Sequence, residues 1–246
     1  MCKGYSYDEL KKATWGFKEE IGRGSGGIVY KGVLPDNRVA AAKLLINEAN
    51  NHDQGEAEFL AEVSTLGRPN HMHLMKMWGY CIEGKHRILV YECLEHGSLK
   101  QNLSSNVLDR EMRFEIALGT AKGLAYLHEE CLGWILHCDV KVLLDSYYSP
   151  KVADFGLSKL LKGAKLNNSA FSRIRGTRGY MAPEWVSNQP ITSKVDVYSY
   201  GHVVLEMLTG RSPTNDVQTV NDTGEIENRR SLVSWVRENI KETSSD

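Results

Sequence analysis

The front part of the chain has the hydrophobic pattern of β-strands arranged around one helix. Short apolar runs rich in β-branched and aromatic residues alternate with turn residues, such as the Leu-Pro-Asp-Asn segment at 34–37. Residues 56–66 instead repeat apolar side chains at helical spacing, with Phe59 and Leu66 on one face. The predicted strands lie within residues 20–45, 74–81 and 87–92. We therefore predict a small strand-rich unit that contains one helix.

The pattern becomes helical after Gly97. Apolar side chains recur at three- and four-residue spacing from Met112 to Leu127, which predicts a long amphipathic helix. The same spacing predicts a second helix, at Val197, Tyr200, Val204, Met207 and Leu208. A strand-rich front and a helical back indicate an α+β fold of two lobes. We expect an N-terminal segment at 1–19, a front lobe with its hinge at 20–94, and a back lobe at 95–246.

Composition agrees with a globular protein and limits its partners. The chain has 246 residues, of which 41% are hydrophobic and 25% charged, so it can bury a large core. Its formal net charge of −1 gives no reason to expect nucleic acid or an anionic membrane as a partner. No run approaches the roughly 18 apolar residues of a membrane-spanning helix. We therefore expect no nucleic-acid partner and no membrane segment in this chain.

Cysteine usage indicates the compartment. The five cysteines are odd in number, scattered and never spaced as CxxC. This pattern argues against a disulfide framework or a zinc site and fits a reducing environment. We therefore expect a cytoplasmic location.

A glycine-rich segment at 22–29 is the first candidate for binding chemistry. Gly22, Gly24 and Gly27 would let backbone N–H groups approach phosphate oxygens closely, because no Cβ is in the way. A dinucleotide-binding fold uses a similar pattern, but there the glycines open a helix. Here they run into a predicted strand, which argues strongly against the dinucleotide alternative.

Lys43 stands at the end of the second apolar run of the front lobe. A lysine on a buried strand needs a partner, either a carboxylate or a bound anion. Glu62, on the predicted helix that follows, is the natural candidate. The alternative, a solvated lysine at a strand end, fits this context less well.

Six short motifs in order and at matching spacing resemble the signature set of the eukaryotic-type protein kinases. They are the segment Gly22-x-Gly24-x-x-Gly27-x-Val29, Lys43, Glu62, His137-Cys138-Asp139, Asp154-Phe155-Gly156 and Ala182-Pro183-Glu184. The resemblance covers roughly residues 15–240. Residues 5–10, 176–181 and 196–201 are similar to plant receptor-like kinases, especially the S-domain (lectin-type) class.

The resemblance implies ATP and Mg²⁺ as cofactors and assigns the catalytic roles. Lys43, held by Glu62, would contact the α- and β-phosphates, and Asp154 would bind Mg²⁺. Asp139 would accept the proton of the substrate hydroxyl. Lys141 matches the lysine of the serine/threonine-directed members, where it faces the γ-phosphate. Protein substrates with Ser or Thr are therefore expected, with other receptor-like kinases as further partners.

The resemblance also assigns the nucleotide pocket and its surroundings. The ATP-binding positions would be Ile21, Gly22, Gly24, Gly27, Val29, Ala41, Lys43, Glu92 and Cys93. Residues 92–94 would form the hinge that bonds adenine through its backbone. Tyr91 would be the gatekeeper, or simply a core aromatic, and both descriptions can hold. Thr177 matches a threonine that packs against the catalytic lysine and aspartate, while Glu184 and Asp196 match structural acidic residues.

The first departure from the family pattern is Cys138, where arginine is commonest. That arginine pairs with a phosphorylated residue of the activation segment. The chain thus resembles the non-RD kinases. We expect phosphorylation of Ser169 or Ser172 not to act as an on-switch, an expectation that loss of activity on replacing both by alanine would contradict.

The second departure is Leu144, at the position where the motif carries asparagine five residues after the catalytic aspartate. The segment from Asp139 to Asp145 reads as the family sequence with a Pro-x-Asn triplet removed. This removes up to about 10 Å of extended reach, and the second magnesium ligand with it. Asp145 is a weaker candidate for a substitute ligand.

The third departure is the end of the chain, which comes soon after a predicted helix at 232–240. In the family, later helices supply an arginine that pairs with the glutamate matched by Glu184, and no such arginine follows here. The back lobe is therefore expected to be incomplete.

Two functions from different classes stay open at this point. The chain is either an active Ser/Thr kinase that tolerates its shortened loop, or a nucleotide-binding pseudokinase that acts as a scaffold or competes with intact relatives. Lys43, Asp139 and Asp154 favour the first, and the missing asparagine favours the second. A plain α+β domain without a nucleotide site is the remaining, weaker alternative.

Overall fold

A computed structural model of the chain describes most of its residues. The described ranges are 2–24, 26–45, 52–67, 69–105, 107–131, 134–160, 176–177, 179–187, 189–213, 219–220, 226–227 and 232–243. They show a sheet-based front lobe and a helical back lobe. The predicted bilobal α+β fold is confirmed.

The front lobe is built on a six-stranded sheet with the order β1-β5-β6-β4-β3-β2. Its strands are β1 (Lys3–Gly4), β2 (Glu20–Gly24), β3 (Gly27–Val33), β4 (Val39–Leu44), β5 (Met77–Glu83) and β6 (His86–Glu92). β1 pairs in parallel with β5, and the other neighbours pair antiparallel. β5 begins three residues later than the apolar run at 74–81 predicts, because Leu74 forms a separate bridge with Val152 of the back lobe.

The two faces of this sheet are covered differently. Helix α1 (Tyr7–Ala13) begins with a capping box, in which Ser6 and Glu9 bond each other's backbone N–H groups. Its Leu10 packs with Ala40 and Ala42 of β4 on one face. On the opposite face, Ala41 joins the main core. Successive side chains of β4 therefore point to opposite faces of the sheet. One face is covered by α1, and the other looks towards the back lobe.

Helix α2 (His52–Leu66) packs on the face that looks towards the back lobe. Its Phe59 is completely buried and its Leu66 nearly so, as the helical spacing predicts. The same helix contacts the 3₁₀ turn Phe155–Leu157 of the back lobe. α2 therefore connects the two lobes.

The back lobe consists of helices with short strand pairs at their edge. Its helices are α3 (Leu99–Ser104), α4 (Arg110–Ala125) with a π-helical continuation (Tyr126–Glu130), α5 (Pro183–Val186), α6 (Lys194–Thr209) and α7 (Leu232–Thr243). Its strands are β7 (Gly97–Ser98), β8 (Ile135–Leu136), β9 (Lys141–Leu144), β10 (Pro150–Ala153), β11 (Lys159–Leu160), β12 (Thr219–Val220) and β13 (Ile226–Glu227). Among the described residues, none of the helices combines the length and the hydrophobicity needed to cross a bilayer.

The buried face of α6 differs from the one that its apolar spacing indicates. Val197 and Leu208 are 52% and 75% exposed. The face that meets the core carries Val203 and Met207 together with four buried polar residues: Asp196, Ser199, His202 and Glu206. Three of these four make hydrogen bonds inside the lobe, and such bonds make their burial tolerable.

Strand β9 contains the position where the family motif carries asparagine. β9 pairs antiparallel with β10, and its last residue, Leu144, also lies opposite Gly97 of β7. Leu144 is fully buried in the main core. The shortened loop therefore leads straight into a core strand, and no polar ligand can be supplied from position 144.

Replacing Leu144 by Asn should destabilise the fold without restoring a ligand. Loss of the apolar burial costs about 2 kcal/mol, and a buried amide without partners adds about 1–3 kcal/mol. We expect the free energy of unfolding in urea to fall by about 3–5 kcal/mol. Leu143→Asn, on the half-buried face of the same strand, is the control and should cost clearly less. An equal loss in the two variants would contradict the assignment of Leu144 to the core.

Candidate active site

Lys43 joins the two lobes through an ion pair with Asp154, 111 residues away in sequence. Lys43 is near the end of β4, and Asp154 directly follows β10. The ammonium Nζ lies 2.8 Å from Asp154 Oδ1 and 2.6 Å from Glu62 Oε1. The structure therefore brings together three residues that the sequence assigns to one site.

The glycine-rich segment forms the hairpin between β2 and β3 and lies close to Lys43. A Cβ at Gly26 would come within 3.4 Å of the Lys43 ammonium. Gly27 has φ +140°, and a Cβ there would collide with the backbone of Leu44. This turn is thus held near the lysine in a conformation that favours glycine. It is followed by a strand and not by a helix, so the dinucleotide alternative is wrong.

Asp139 lies on the back-lobe side of the same cleft and is bound by Thr177. The backbone N–H of Thr177 donates to Asp139 Oδ1 at 2.9 Å, and its hydroxyl donates to Oδ2 at 3.2 Å. The Lys141 ammonium is 3.4 Å from Asp139 Oδ2. Lys141 also donates a hydrogen bond to Asp154 Oδ2. Lys141 therefore contacts both aspartates of the predicted site.

Buried Asp196 of α6 fixes the backbone that leads into Asp139. Its carboxylate accepts N–H bonds from His137 at 2.8 Å and from Cys138 at 2.7 Å. His128 Nε2 lies 2.7 Å from the same carboxylate. Cys138 has φ +69°, a conformation that is uncommon for residues other than glycine. Two charge-assisted bonds in a row hold this turn and so position Asp139.

The charges of the site are strongly coupled. Burial alone would raise the pKa of Asp154, but the ammonium groups of Lys43 and Lys141 lower it far below its usual range. Burial has the largest effect on the pKa of Glu62 and raises it, and the charge of Asp154 raises it further. Lys43 opposes both effects, and the resulting pKa is about 7. The second oxygen of Glu62 is buried with no hydrogen-bond partner among the described residues. Near neutral pH, Asp154 therefore keeps its charge while Glu62 is close to taking up a proton.

The residues predicted to contact adenine belong to the front lobe and its hinge. Val29, Ala41 and Cys93 belong to or pack on the main core, with Tyr91 buried beside them. The Tyr91 hydroxyl has no hydrogen-bond partner within the part of the chain that the structure describes. Ile21, on β2, is more exposed than these residues. Tyr91 is thus a buried core aromatic next to the predicted hinge.

Glu92 begins the predicted hinge and is tied back to the front lobe. Its backbone N–H donates to the Lys76 carbonyl at 3.0 Å, and its carboxylate accepts from the Lys76 N–H at 2.8 Å. Cys93 follows, half-buried, and burial raises the pKa of its thiol. The side chain of Glu92 is thus used for structure, and a nucleotide would have to contact the hinge through backbone groups.

Leu143 is a residue beside the predicted site that the short motifs do not mark. It packs on the same core cluster as Val29 and Ala41. Alternation along β9 buries Val142 and Leu144 and places Leu143 on the same face as Lys141. The signal in the sequence is the apolar run at 142–144, which does not by itself show which side chain shares a face with Lys141.

The other residues that the sequence singles out are Ser169, Ser172, Glu184 and Asp145. Ser169 and Ser172 lie outside the described residues. Glu184, in α5, is half-buried. Asp145 Oδ1 accepts the N–H groups of Tyr147 and Ser149, both at 2.9 Å, so this oxygen closes the turn between β9 and β10.

The donor set fits one Mg²⁺ but not two. Mg²⁺ is commonly bound through one or two carboxylates together with substrate phosphates. Asp154 can serve in this way once Lys141 has moved away from Oδ2. Both oxygens of Asp139 already accept bonds from Thr177, and Leu144 offers no donor. Among the described residues, no cluster of three or more His, Cys, Asp or Glu side chains could hold a metal ion by itself.

Replacing Glu62 by Gln should remove a pH dependence of stability. The folded-state pKa of about 7 is above the ordinary value of 4.5, so the native state binds the extra proton in this range. The free energy of unfolding therefore falls as the pH rises from about 4.5 to about 7, by up to about 3 kcal/mol.

Urea unfolding between about pH 5 and pH 8 would measure this slope. E62Q should lack this contribution, while Glu115→Gln, an exposed position on α4, should keep the slope of the original chain. A slope in E62Q as steep as in the original chain would show that another group titrates.

Comparison with known proteins agrees with this geometry. The sequence profile of the family described as "Protein kinase domain" matches residues 15–245. The "Putative receptor protein kinase ZmPK1" of Zea mays is 56% identical over 230 residues, which are 90% of this chain and 27% of that protein. The "G-type lectin S-receptor-like serine/threonine-protein kinase At1g34300" of Arabidopsis thaliana is 49% identical over 214 residues, which are 84% of this chain and 25% of that protein.

The chain spans about a quarter of the length of these curated relatives. The profile covers nearly the whole chain, and the predicted similarity to plant S-domain receptor-like kinases is confirmed. On this evidence, the chain belongs to the protein kinase family.

Proposed function

We propose that this chain is an ATP-dependent protein serine/threonine kinase, which transfers the γ-phosphoryl group of ATP to hydroxyl groups of protein substrates. The observation that carries the proposal is the convergence of Lys43, Glu62 and Asp154 under the glycine-rich hairpin, with Asp139 on the facing side of the cleft. Phosphoryl transfer needs positioning and charge neutralisation more than covalent chemistry from the protein. These residues are suited to both tasks.

Each residue of the site has a distinct task in the proposed reaction. Lys43, aligned by Glu62, binds the phosphates of ATP. Asp139 accepts the proton of the attacking hydroxyl, and its orientation is fixed by Thr177. Mg²⁺, when bound at Asp154, would neutralise charge on the phosphate oxygens. Lys141 stands between the two aspartates, where charge builds up on the transferred group.

The substrate class and the biological setting follow from the same residues and from the relatives. Lys141 and Thr177 occur where serine/threonine-directed members carry them, and the Arabidopsis relative is named as a serine/threonine kinase. Since both relatives are named as receptor or receptor-like kinases, we place the chain in receptor-kinase signalling at the cytoplasmic side of a membrane. Other receptor-like kinases are then its expected partners.

Phosphate transfer should depend on Lys43, which binds the phosphates of ATP, and on Asp139, which accepts the proton of the substrate hydroxyl. We expect Lys43→Met and Asp139→Asn each to lower the rate of phosphate transfer at least about 100-fold. The measurement is incorporation of labelled phosphate from Mg-ATP into a generic Ser/Thr substrate. Lys122→Met, an exposed lysine on α4, is the matched control and should transfer at the original rate. Equal transfer in all four proteins would trace the activity to a contaminant and overturn the proposal.

A nucleotide-binding pseudokinase is the second candidate function. It is favoured by the burial of Leu144 in β9 and by the bond between Lys141 and Asp154. Together they leave the site one metal ligand short and shift the catalytic lysine towards the metal position. A misplacement of about 1 Å can already cost on the order of 100-fold in rate. Nucleotide would then bind without efficient transfer, and the chain would act through partners.

Lengthening the loop separates the two candidates. Inserting Pro-Ala-Asn between Lys141 and Val142 gives back up to about 10 Å of reach and one amide ligand. If the chain is a pseudokinase, this insertion should raise the transfer rate about 100-fold, while Pro-Ala-Ala, which lacks the amide, should not. If the original chain transfers phosphate measurably and as fast as the Pro-Ala-Asn variant, the pseudokinase candidate is wrong.

A further inference from the structure

Both oxygens of the Asp154 carboxylate are in contact with ammonium groups. Oδ1 accepts from Lys43 at 2.8 Å, and Oδ2 accepts from Lys141. The first contact is the expected pairing of the family motif. The second is not, because the resemblance places Lys141 towards the substrate and not on the metal-binding aspartate. Asp154 therefore carries a second resident cation at the oxygen that faces away from Lys43.

The short loop explains why Lys141 reaches this carboxylate. β9 begins at Lys141, only two residues after Asp139, and its register places Lys141 directly opposite Ala153 of β10. Ala153 immediately precedes Asp154. Directly opposed residues of an antiparallel pair lie about 4.5–5.5 Å apart, so a lysine side chain easily spans the remaining distance. Three more residues in the loop would move the lysine out of this register.

We propose that Lys141 competes with the divalent cation for Asp154, so that metal binding in this cleft requires the displacement of a built-in ammonium group. An ammonium within bonding distance of the carboxylate would lie only a few ångström from a bound Mg²⁺ and would repel it strongly at the low effective dielectric of a partly buried site. The cleft therefore binds divalent cations more weakly than its aspartate alone would. Lys141 thus raises the Mg²⁺ concentration that is required to occupy the site.

The bonds around Lys141 support a displaceable cation and not a permanent structural ion pair. Its side chain is 42% exposed, whereas that of Lys43 is 12% exposed. Asp139 Oδ2, 3.4 Å away, offers the ammonium a second carboxylate when it leaves Asp154. Movement between the two aspartates requires only a rotation of the side chain. Lys141 can thus release Asp154 to the metal and still face the transferred phosphate in the proposed reaction.

The test measures metal binding in the complete chain, first without nucleotide. Mn²⁺ alone is titrated and the free ion is counted by its electron paramagnetic resonance signal. We expect Lys141→Met to bind one Mn²⁺ per chain at least about tenfold more tightly than the original chain. Lys141→Arg, which keeps the charge, should bind as weakly as the original chain, and Lys122→Met is the matched surface control. Asp154→Asn should abolish the gain in Lys141→Met.

The second measurement adds a non-hydrolysable ATP analogue and follows the melting temperature while Mg²⁺ is titrated. This arm rests on the proposed function, since it requires that nucleotide binds in the cleft. The Mg²⁺ concentration for half-maximal stabilisation should be about tenfold lower in Lys141→Met. Equal Mn²⁺ affinities of the original chain, Lys141→Met and Lys141→Arg would overturn the competition. Absence of any nucleotide effect in any variant would overturn the proposed function, while the Mn²⁺ result would still decide the role of Lys141.

Discussion

One ammonium group, that of Lys43, is shared between a carboxylate of each lobe, and the geometry of the cleft depends on it. Glu62 on α2 and Asp154 after β10 meet at this lysine, within 2.6 and 2.8 Å. Removing one member of a buried ion pair typically costs about 3–5 kcal/mol, because the remaining charge is left without compensation. The three residues therefore hold one another in place. The glycine-rich hairpin and the contact of α2 with the turn after Asp154 are arranged around the same group.

The parts of the site that could be predicted from sequence are those that short motifs encode at fixed spacing. Lys43, Glu62, Asp139 and Asp154 could be assigned in this way, and the structure places them around one cleft. The bond from Lys141 to Asp154 could not be predicted. It depends on the register between β9 and β10, which places Lys141 opposite Ala153, and short motifs do not encode such a register.

The elements of the fold also differ in how well the sequence predicts them. The strands of the front lobe and the helices α2 and α4 are predicted by simple periodicity, because large apolar side chains such as Phe59 and Ile116 mark their buried faces. A helix is present where apolar spacing predicts α6, but its buried face differs from the one that this spacing indicates. Asp196 and Glu206 lie inside the lobe because each has hydrogen-bond partners there. Hydrophobic spacing counts such residues as exposed and assigns their exposed neighbours, Val197 and Leu208, to the core.

The chain's first residues are part of the sheet that carries the catalytic lysine. β1 pairs in parallel with β5, and the Tyr5 N–H continues the contact with the Tyr80 carbonyl at 2.8 Å. From there, backbone hydrogen bonds run through β6 to β4 and Lys43. This strand also shields part of a sheet edge that could otherwise recruit a foreign strand. A segment attached ahead of Lys3 would therefore be connected to Lys43 through the backbone hydrogen bonds of the front sheet.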